Sequence, residues 1–259
     1  MLNLTVLKPD SITLSRDLVI PISFENHSVI AIDKPPGVFV APESWNKTGR
    51  NLHLELIKSL ARGDFWAKHR HLRYIRFIHR LDTETSGILL LAKTPGVLAA
   101  ISRLFQKRVI QKKYLAVVEG IPKAQTWTCK IPIKPSPSCP KTMTQANNNG
   151  LYAETKFRLL CTIANRSLIE AMPLTGRTHQ IRIHLSLSGH PIIDDSLYNV
   201  QAEPSNAIGL RAYFLSYIDP FRKKPIQILA PTDKFLEHYG FSEQIEIGQI
   251  TKKLSCSLD

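Results

Sequence analysis

Cysteine is scarce in this sequence, and its few cysteines do not form a recognisable set. None belongs to a C-x-x-C pair, and no histidine lies near one at zinc-finger spacing. Neither a zinc site nor a disulfide framework is therefore indicated, and we expect a cytoplasmic protein in a reducing compartment. A chain of 259 residues can bury its own core without such crosslinks. The cysteines are Cys129, Cys139, Cys161 and Cys256.

Long apolar runs are also missing. No stretch approaches the roughly 18 consecutive apolar residues of a membrane span. The first twenty residues interrupt their apolar positions with charges, unlike the apolar block of a secretory leader. We therefore expect an untargeted protein that does not interact with a membrane.

The sequence lacks the patterns that bind common cofactors. Neither G-x-G-x-x-G nor G-x-x-x-x-G-K-[ST] occurs, which argues against a nucleotide cofactor. His179, His184 and His190 are spaced so that no two share a helical face at coordination distance. We expect neither a cofactor nor a metal ion.

Basic residues, in contrast, are abundant. The chain has 34 Lys and Arg against 21 Asp and Glu, a formal net charge of +13. Such an excess attracts polyanions, so nucleic acid is the leading partner, although solvated surface charge alone would explain it too. The densest basic segment runs from Lys68 to Arg80 and interleaves histidines and aromatic residues.

Periodicity predicts both strands and helices without regular alternation. We expect Asn51 and Thr94 to cap helices, and Thr178 to cap a further helix that runs through Ser188 and ends before Gly189. The segment from Gly120 to Gly150 reads as an extended loop or hairpin excursion. The predicted strands are 29–33, 88–92, 113–118, 155–161, 167–172, 210–218 and 225–229, and a last helix covers 233–239.

Functional groups concentrate between His79 and Gly87, which follow the basic segment and precede an apolar run. The segment holds two carboxylates, an imidazole, a guanidinium and three hydroxyl groups. Catalytic residues often lie on such loops. From the residues alone, however, the favoured interpretation is that Asp82 and Thr85 cap a turn through local side-chain hydrogen bonds.

The segment from His79 to Lys93 closely resembles the HRLDxxTSGxLLxAK signature of RluA-type pseudouridine synthases. Three further blocks resemble the family's other motifs in the same order, and the likeness spans about residues 20 to 232. These blocks are Ala31 to Gly37, Lys112 to Gly120 and Gly176 to Leu185.

The resemblance implies an α+β fold with a mixed, largely antiparallel central sheet flanked by helices and loops, and an active-site cleft across the sheet. It implies one catalytic domain over residues 1–259. Many relatives carry an N-terminal S4-type RNA-binding domain, and we expect none here, since only about twenty residues precede the first motif. The expected activity is isomerisation of uridine to pseudouridine in structured RNA, ribosomal or transfer, without redox agent or energy donor.

The resemblance also assigns roles to residues. Asp82 is the catalytic carboxylate, acting as a nucleophile or a base. Arg182 is the arginine expected to keep it ionised, with Arg177 as the alternative or as a phosphate contact. Tyr114 is expected to stack on the target uracil, and Arg80 to support the distorted RNA backbone.

The basic segment would then line the cleft and follow RNA phosphates, with Arg70, Arg73 and Arg76 as contacts. We assign no catalytic part to His79, His179 or His184. We expect a monomer without an obligate protein partner.

Two alternatives remain open. The first is an RNA-binding protein or chaperone that retains the fold without activity. The second is a hydrolase built on Asp82 with a histidine, which lacks a serine or cysteine nucleophile in a supporting motif.

The chain also departs from the family pattern at two places. Asp194 and Asn199 stand where relatives often have glycine, and Arg211 stands where they usually have histidine. We expect activity to survive these changes.

Overall fold

The structure, a computed structural model, describes residues 9–40, 51–139, 142–146 and 149–243. The interpretations that concern residues 1–8 and Cys256 lie outside the described residues. Within these ranges the chain divides into two compact units, which are described separately.

The secondary structure consists of strands and helices intermixed along the chain. The strands are β1 Ser11–Ser15, β2 Leu18–Glu25, β3 Val29–Lys34, β4 Arg76–Phe77, β5 Ser86–Ala92, β6 Gln111–Glu119, β7 Thr126–Cys129, β8 Ile133–Pro135, β9 Met143–Gln145, β10 Thr155–Ile163, β11 Arg166–Pro173, β12 Leu210–Ile218 and β13 Pro225–Leu229. The helices are α1 Leu52–Arg62, α2 Phe65–Lys68, α3 Pro95–Gln106, α4 Gln180–Leu187 and α5 Asp233–His238. The predicted α+β fold with a largely antiparallel sheet is confirmed.

The first unit comprises Met1–Gln111 and Phe214–Ala230. Its strands β1, β2, β3 and β5 are neighbours in that order, and each pair is antiparallel. β4 also pairs with β5, and β13 pairs with β12. In the β3–β5 register Lys34 lies opposite Gly87, so the motif from Ala31 to Gly37 lies beside the motif from His79 to Lys93.

The core of the first unit forms where α3 covers this sheet. Alternating residues of β3 and β5, such as Ala31 and Leu90, point to one face, and Val97 and Ile101 of α3 pack there. Residues of the opposite face, including Ile32 and Leu89, are buried as well. A sheet covered on both faces explains why these strands are continuous apolar runs.

The second unit comprises Lys112–Tyr213 and Pro231–Asp259. Its strands β6, β11, β10 and β7 are neighbours in that order and antiparallel. Ile181 and Leu185 of α4 pack on the face that carries Ala116 and Ile169. β8 and β9 form a separate two-stranded hairpin.

The sequence-based helix caps are confirmed in the first unit. The Asn51 side chain accepts hydrogen bonds from the backbone N–H groups of His53 and Leu54, and Thr94 accepts one from Val97. Proline at the first position of α3 needs no donor there.

The helix expected after a Thr178 cap is present as α4, but the expected cap is wrong. The N-cap residue is His179, which has a left-handed backbone at φ 52° and forms no side-chain cap, so the helix begins at Gln180. For the segment from Gly120 to Gly150, the hairpin alternative is confirmed by the pairing of β8 with β9, and β7 in addition pairs with β10. Short strands with polar residues carry too weak a periodic signal to be recognised.

The hydroxyl of Ser59 holds the connection between α1 and α2, directly before the basic segment. It accepts a hydrogen bond from Trp66 Nε1 at 2.7 Å and donates to the Asp64 carboxylate. We predict that Ser59→Ala lowers the free energy of unfolding by about 1–3 kcal/mol, because it leaves the buried indole N–H unpaired. Denaturant unfolding measures this loss, and Lys58→Ala on the exposed face of α1 should stay within about 0.5 kcal/mol of wild type. Equal stability of Ser59→Ala and wild type would contradict the assignment.

Candidate active site

Asp82 lies on the loop between β4 and β5 of the first unit, with its side chain half-buried. Its backbone carbonyl accepts a hydrogen bond from Thr85 N at 3.2 Å, which closes a turn. Leu81, on one side of Asp82, is 8% exposed and anchors the loop in the protein. The loop therefore presents a carboxylate from a backbone that is held on both sides.

Lys34 connects this loop to the end of β3. Its side chain is fully buried, and Nζ donates to the carbonyls of Pro35 at 2.8 Å, Val38 at 3.1 Å and Thr83 at 2.9 Å. Three acceptors match the three donors of an ammonium group. The Thr83 carbonyl also accepts from Gly37 N, so the loop from Pro35 to Val38 and the Asp82 loop share one acceptor.

The positive charge of Lys34 attracts nearby carboxylates. Burial lowers the pKa of Lys34 to about 8, while the carboxylates of Asp82 and Glu84 act in the opposite direction. The ammonium therefore remains predominantly protonated at neutral pH and attracts the ionised form of Asp82. An ionised carboxylate is what a nucleophile or a base requires.

The alternative in which Thr85 caps the turn through its side chain is wrong. Thr85 is 2% exposed, and its hydroxyl has no hydrogen-bond partner within the described part of the chain. His79 has a structural contact, as expected, because its Nε2 accepts a hydrogen bond from Leu90 N at 3.1 Å and its ring stacks on Phe105.

The structure also corrects the expectation for Arg70. Its guanidinium is only 2% exposed and forms an ion pair with Glu25 at 2.8 Å, besides donating to the carbonyls of Trp66 and Pro9. Lys93 contacts the same carboxylate at 2.6 Å. Arg70 therefore stabilises the unit internally and is not available to a phosphate group.

The surroundings of Arg70 differ from those of Arg73, Arg76 and Arg80. Arg73 and Arg80 are exposed and make no hydrogen bond or ion pair with any described residue. Arg76 is half-buried, donates to the Ile75 carbonyl and lies over the Tyr74 ring at 5.4 Å. Arg73 and Tyr74 line a cleft of about 810 Å³ that reaches the start of α3.

Tyr114 lies on β6 of the second unit, opposite Ala171 of β11. Its half-buried ring packs against the core beneath α4, on the same face as Ala116. Tyr114 therefore lies at the border of an apolar core.

Arg182 is held in a buried ion pair whose acidic partner was not predicted from the sequence. Its Nε and Nη2 donate to the two carboxylate oxygens of Asp195 at 2.7 and 2.6 Å. Both side chains are almost fully buried, and the guanidinium lies 5.4 Å from the Tyr198 ring. A solvated surface role is therefore excluded for Arg182, while its predicted pairing with Asp82 stays a prediction.

A chain of hydrogen bonds holds α4 against β10. Gln180 Nε2 donates to Thr155 Oγ1, which pairs with His184 Nδ1, and His184 Nε2 pairs with the Ile131 carbonyl. Since a carbonyl only accepts, His184 carries its proton on Nε2 and accepts from Thr155 on Nδ1. Burial lowers the pKa of His184, which favours this neutral form. These contacts agree with the structural role expected of His184.

Arg177 precedes α4 by three residues and is half-buried. Its backbone N–H donates to Gln180 Oε1 at 3.0 Å, and its Nε donates to the Tyr152 carbonyl at 3.1 Å. The backbone donor is therefore not free for a phosphate, and a phosphate contact would have to use the remaining guanidinium donors.

The departures from the family pattern have local explanations. Asp194 has φ 63°, a left-handed backbone that glycine adopts easily and aspartate tolerates. Asn199 is not left-handed, and its side chain donates to the Ile192 carbonyl. Arg211 is buried and donates from Nε and Nη2 to the Pro231 carbonyl.

Sequence reasoning missed Lys34 and Asp195. Lys34 stands between an apolar strand and two prolines, where a lysine is expected to be solvated. Asp195 lies in the segment from Asp194 to Asn199, for which the only predicted feature was the replacement of two glycines of the family pattern. In both cases the sequence held a signal of burial. A charged residue stands next to a buried element, and the sequence shows no evident partner for that charge.

Among the described residues, no group of three or more His, Cys, Asp or Glu side chains could hold a metal ion. Nor does any helix in the described ranges have the length and apolarity to cross a membrane.

Comparison with known proteins gives consistent matches. The sequence model of one family, RNA pseudouridylate synthase, matches residues 28–187. The chain is 32% identical over 238 residues to ribosomal large subunit pseudouridine synthase C of Vibrio cholerae, covering 88% of this chain and 71% of the relative. The protein of the same name from Haemophilus ducreyi is 32% identical over 224 residues, covering 83% and 67%. Human RNA pseudouridylate synthase domain containing 1 has a similar fold, with a TM-score of 0.68 at 24% identity over 93% of this chain and 96% of that one.

The Arg182–Asp195 pair gives a stability prediction. Asp195→Ala should lower the free energy of unfolding by about 3–5 kcal/mol, because it removes the carboxylate that accepts two hydrogen bonds from a buried guanidinium. Asp194→Asn is the matched control, since that neighbour makes one longer hydrogen bond, from Tyr239 at 3.2 Å, and should cost about 1 kcal/mol or less. Chemical denaturation of both variants decides the matter, and equal losses would contradict a special role for Asp195.

Proposed function

Because the chain belongs to the RNA pseudouridylate synthase family and is an RNA pseudouridine synthase, we propose that Asp82 is its catalytic carboxylate and that its substrate is a uridine in structured ribosomal or transfer RNA. The reaction breaks the bond between N1 of uracil and C1′ of ribose and joins C5 to C1′. The proton of C5 leaves, and N1 gains one, so the product is an isomer of the substrate.

The observation that carries the proposal is the setting of Asp82. The carboxylate is half-buried on a loop whose next carbonyl, at Thr83, accepts from the buried ammonium of Lys34. A fixed backbone and a nearby positive charge suit a carboxylate that attacks C1′ or the uracil ring, or removes the proton from C2′. Each of these steps needs Asp82 in its ionised form.

Two residues of the second unit complete the proposed machinery. Tyr114 is proposed to stack on the uracil, supported by its half-buried ring beneath α4. Arg182 is proposed to stabilise the charged carboxylate of Asp82. The ion pair of Arg182 with Asp195 uses the edge of the guanidinium that is formed by Nε and Nη2. Arg177 remains the alternative partner or a phosphate contact.

RNA binding is proposed to depend on Arg73, Arg76 and Arg80, with Arg70 left out because of its buried pair with Glu25. Large-subunit ribosomal RNA is the first substrate to test, since the Vibrio cholerae and Haemophilus ducreyi relatives are named for it. We also propose that the enzyme acts as a monomer in the cytoplasm.

The test is pseudouridine mapping of total RNA from source cells with the gene, without it, and with Asp82→Ala or Asp82→Asn in its place. Sites that vanish with the gene identify the substrate, and neither variant should restore them. Purified Asp82→Asn should be slower than wild type by about 10²-fold or more, the usual contribution of a positioned acid or base.

Thr83→Val is the matched control, because it alters the neighbouring side chain and retains the carbonyl that Lys34 contacts. It should restore the modification. If the Asp82 variants restored it too, the assignment of Asp82 would be wrong. If no site changed on deletion of the gene, the alternative of an RNA-binding protein without activity would gain support.

The basic segment gives a separate prediction for RNA affinity. Arg73→Ala combined with Arg76→Ala should weaken RNA binding and reduce the slope of log K against log salt by about 0.7–0.9 for each phosphate that the protein no longer neutralises. Arg103→Ala with Lys107→Ala, exposed on α3 and at its end, is the matched control for total charge. Filter binding at several salt concentrations measures both. Equal slopes in the two double variants would overturn a specific role for the segment.

A further inference from the structure

Lys112 is a cation of the second unit that the proposed machinery does not use. It lies on β6, two residues before Tyr114, so both side chains point to the same face of the strand about 7 Å apart along it. Lys113, between them, points to the opposite face and lies 3.9 Å from the buried carboxylate of Glu170. The two neighbouring lysines therefore differ in their surroundings.

The Lys112 ammonium has few partners. Nζ donates to the Thr175 carbonyl at 3.4 Å, which is long for a charge-assisted hydrogen bond. No described carboxylate forms an ion pair with it. At least two of its three donors therefore lack a protein acceptor within the described ranges.

Burial lowers the pKa of Lys112 to about 8, and no described carboxylate counteracts this effect. The charged form of Lys112 is thus partly desolvated, and no described carboxylate compensates for this. An anionic ligand placed at the ammonium would supply that charge and the missing acceptors.

Gly176 leaves the ammonium approachable. A Cβ atom at this position would lie 3.6 Å from Lys112 Nζ, so a larger side chain there would cover the group. Gly176 itself is exposed and follows Thr175, whose carbonyl accepts from the ammonium. The Lys112 ammonium therefore lies beside an exposed glycine of the loop before α4.

We propose that Lys112 binds a phosphodiester group of the RNA beside the target uridine. The proposal rests on the proposed function, since RNA is the polyanion and Tyr114, on the same face, is the residue proposed to stack on the uracil. An ammonium group is a suitable point charge for a phosphate oxygen. The RNA phosphate completes the acceptors that the protein does not provide.

A lysine footprint tests this directly on the wild-type full-length chain. The protein is treated with an amine-acylating reagent with and without total RNA from cells that lack the gene, and mass spectrometry quantifies acylation at each lysine. RNA should protect Lys112 several-fold more strongly than Lys113. Equal reactivity of Lys112 with and without RNA would overturn the proposal.

Variants separate phosphate binding from a structural contact with Thr175. Lys112→Met should weaken RNA binding about 10-fold or more and lower the salt slope by about 0.7–0.9, whereas Lys112→Arg should retain the slope. Lys113→Met is the matched control and should leave the slope unchanged. An unchanged slope in Lys112→Met, with thermal unfolding shifted, would assign Lys112 a structural role and contradict the proposal.

Failure of this inference is distinguishable from failure of the proposed function. If the wild type forms pseudouridine while RNA leaves Lys112 unprotected, only the phosphate site is wrong. If RNA protects Lys112 but no pseudouridine is formed, the phosphate site stands and the activity assigned through Asp82 is wrong.

Discussion

The ammonium group of Lys34 lies inside the first unit, where it donates to three backbone carbonyls, and one of them belongs to the residue after Asp82. A buried cation is costly unless its donors are satisfied, so the loop from Pro35 to Val38 and the loop that carries Asp82 must keep the positions that supply those acceptors. The carboxylates of Asp82 and Glu84 in turn partly offset the effect of burial on the Lys34 ammonium. One buried side chain thus fixes the placement of the Asp82 loop and puts a positive charge near its carboxylate.

The second unit also contains a buried cation, but there a carboxylate balances its charge. Arg182 is almost fully buried, and its charge is balanced by the carboxylate of Asp195 in a two-point pair. Gln180 and His184, on the same helix, contribute a directed chain of hydrogen bonds to β10. Charged and polar groups on α4 are therefore held by the ion pair with Asp195 and by the hydrogen bonds to β10. A helix held by such contacts can present the Arg182 guanidinium in a defined orientation.

Much of this was predictable from sequence. Strands such as β3 and helices capped by Asn51 or Thr94 have strong local signals, and the motif around Asp82 was specific enough to indicate the family. The start of α4 was not predictable, because Thr178 is a common N-cap residue, whereas the observed N-cap is a left-handed His179 without a side-chain cap. The burial of Arg70 and its pair with Glu25, 45 positions away, likewise exist only in the folded chain. Sequence reveals which residues carry charge, whereas partners depend on tertiary structure.

The central claim is that this chain isomerises uridine through Asp82, and the release of the C5 proton measures it most directly. Large-subunit ribosomal RNA would be prepared from cells that lack the gene, with tritium at C5 of its uridines, and incubated with purified protein alone. We predict release of tritium into water by the wild type and none above background by Asp82→Asn, which should remain folded. Equal release by both proteins would contradict a catalytic role for Asp82.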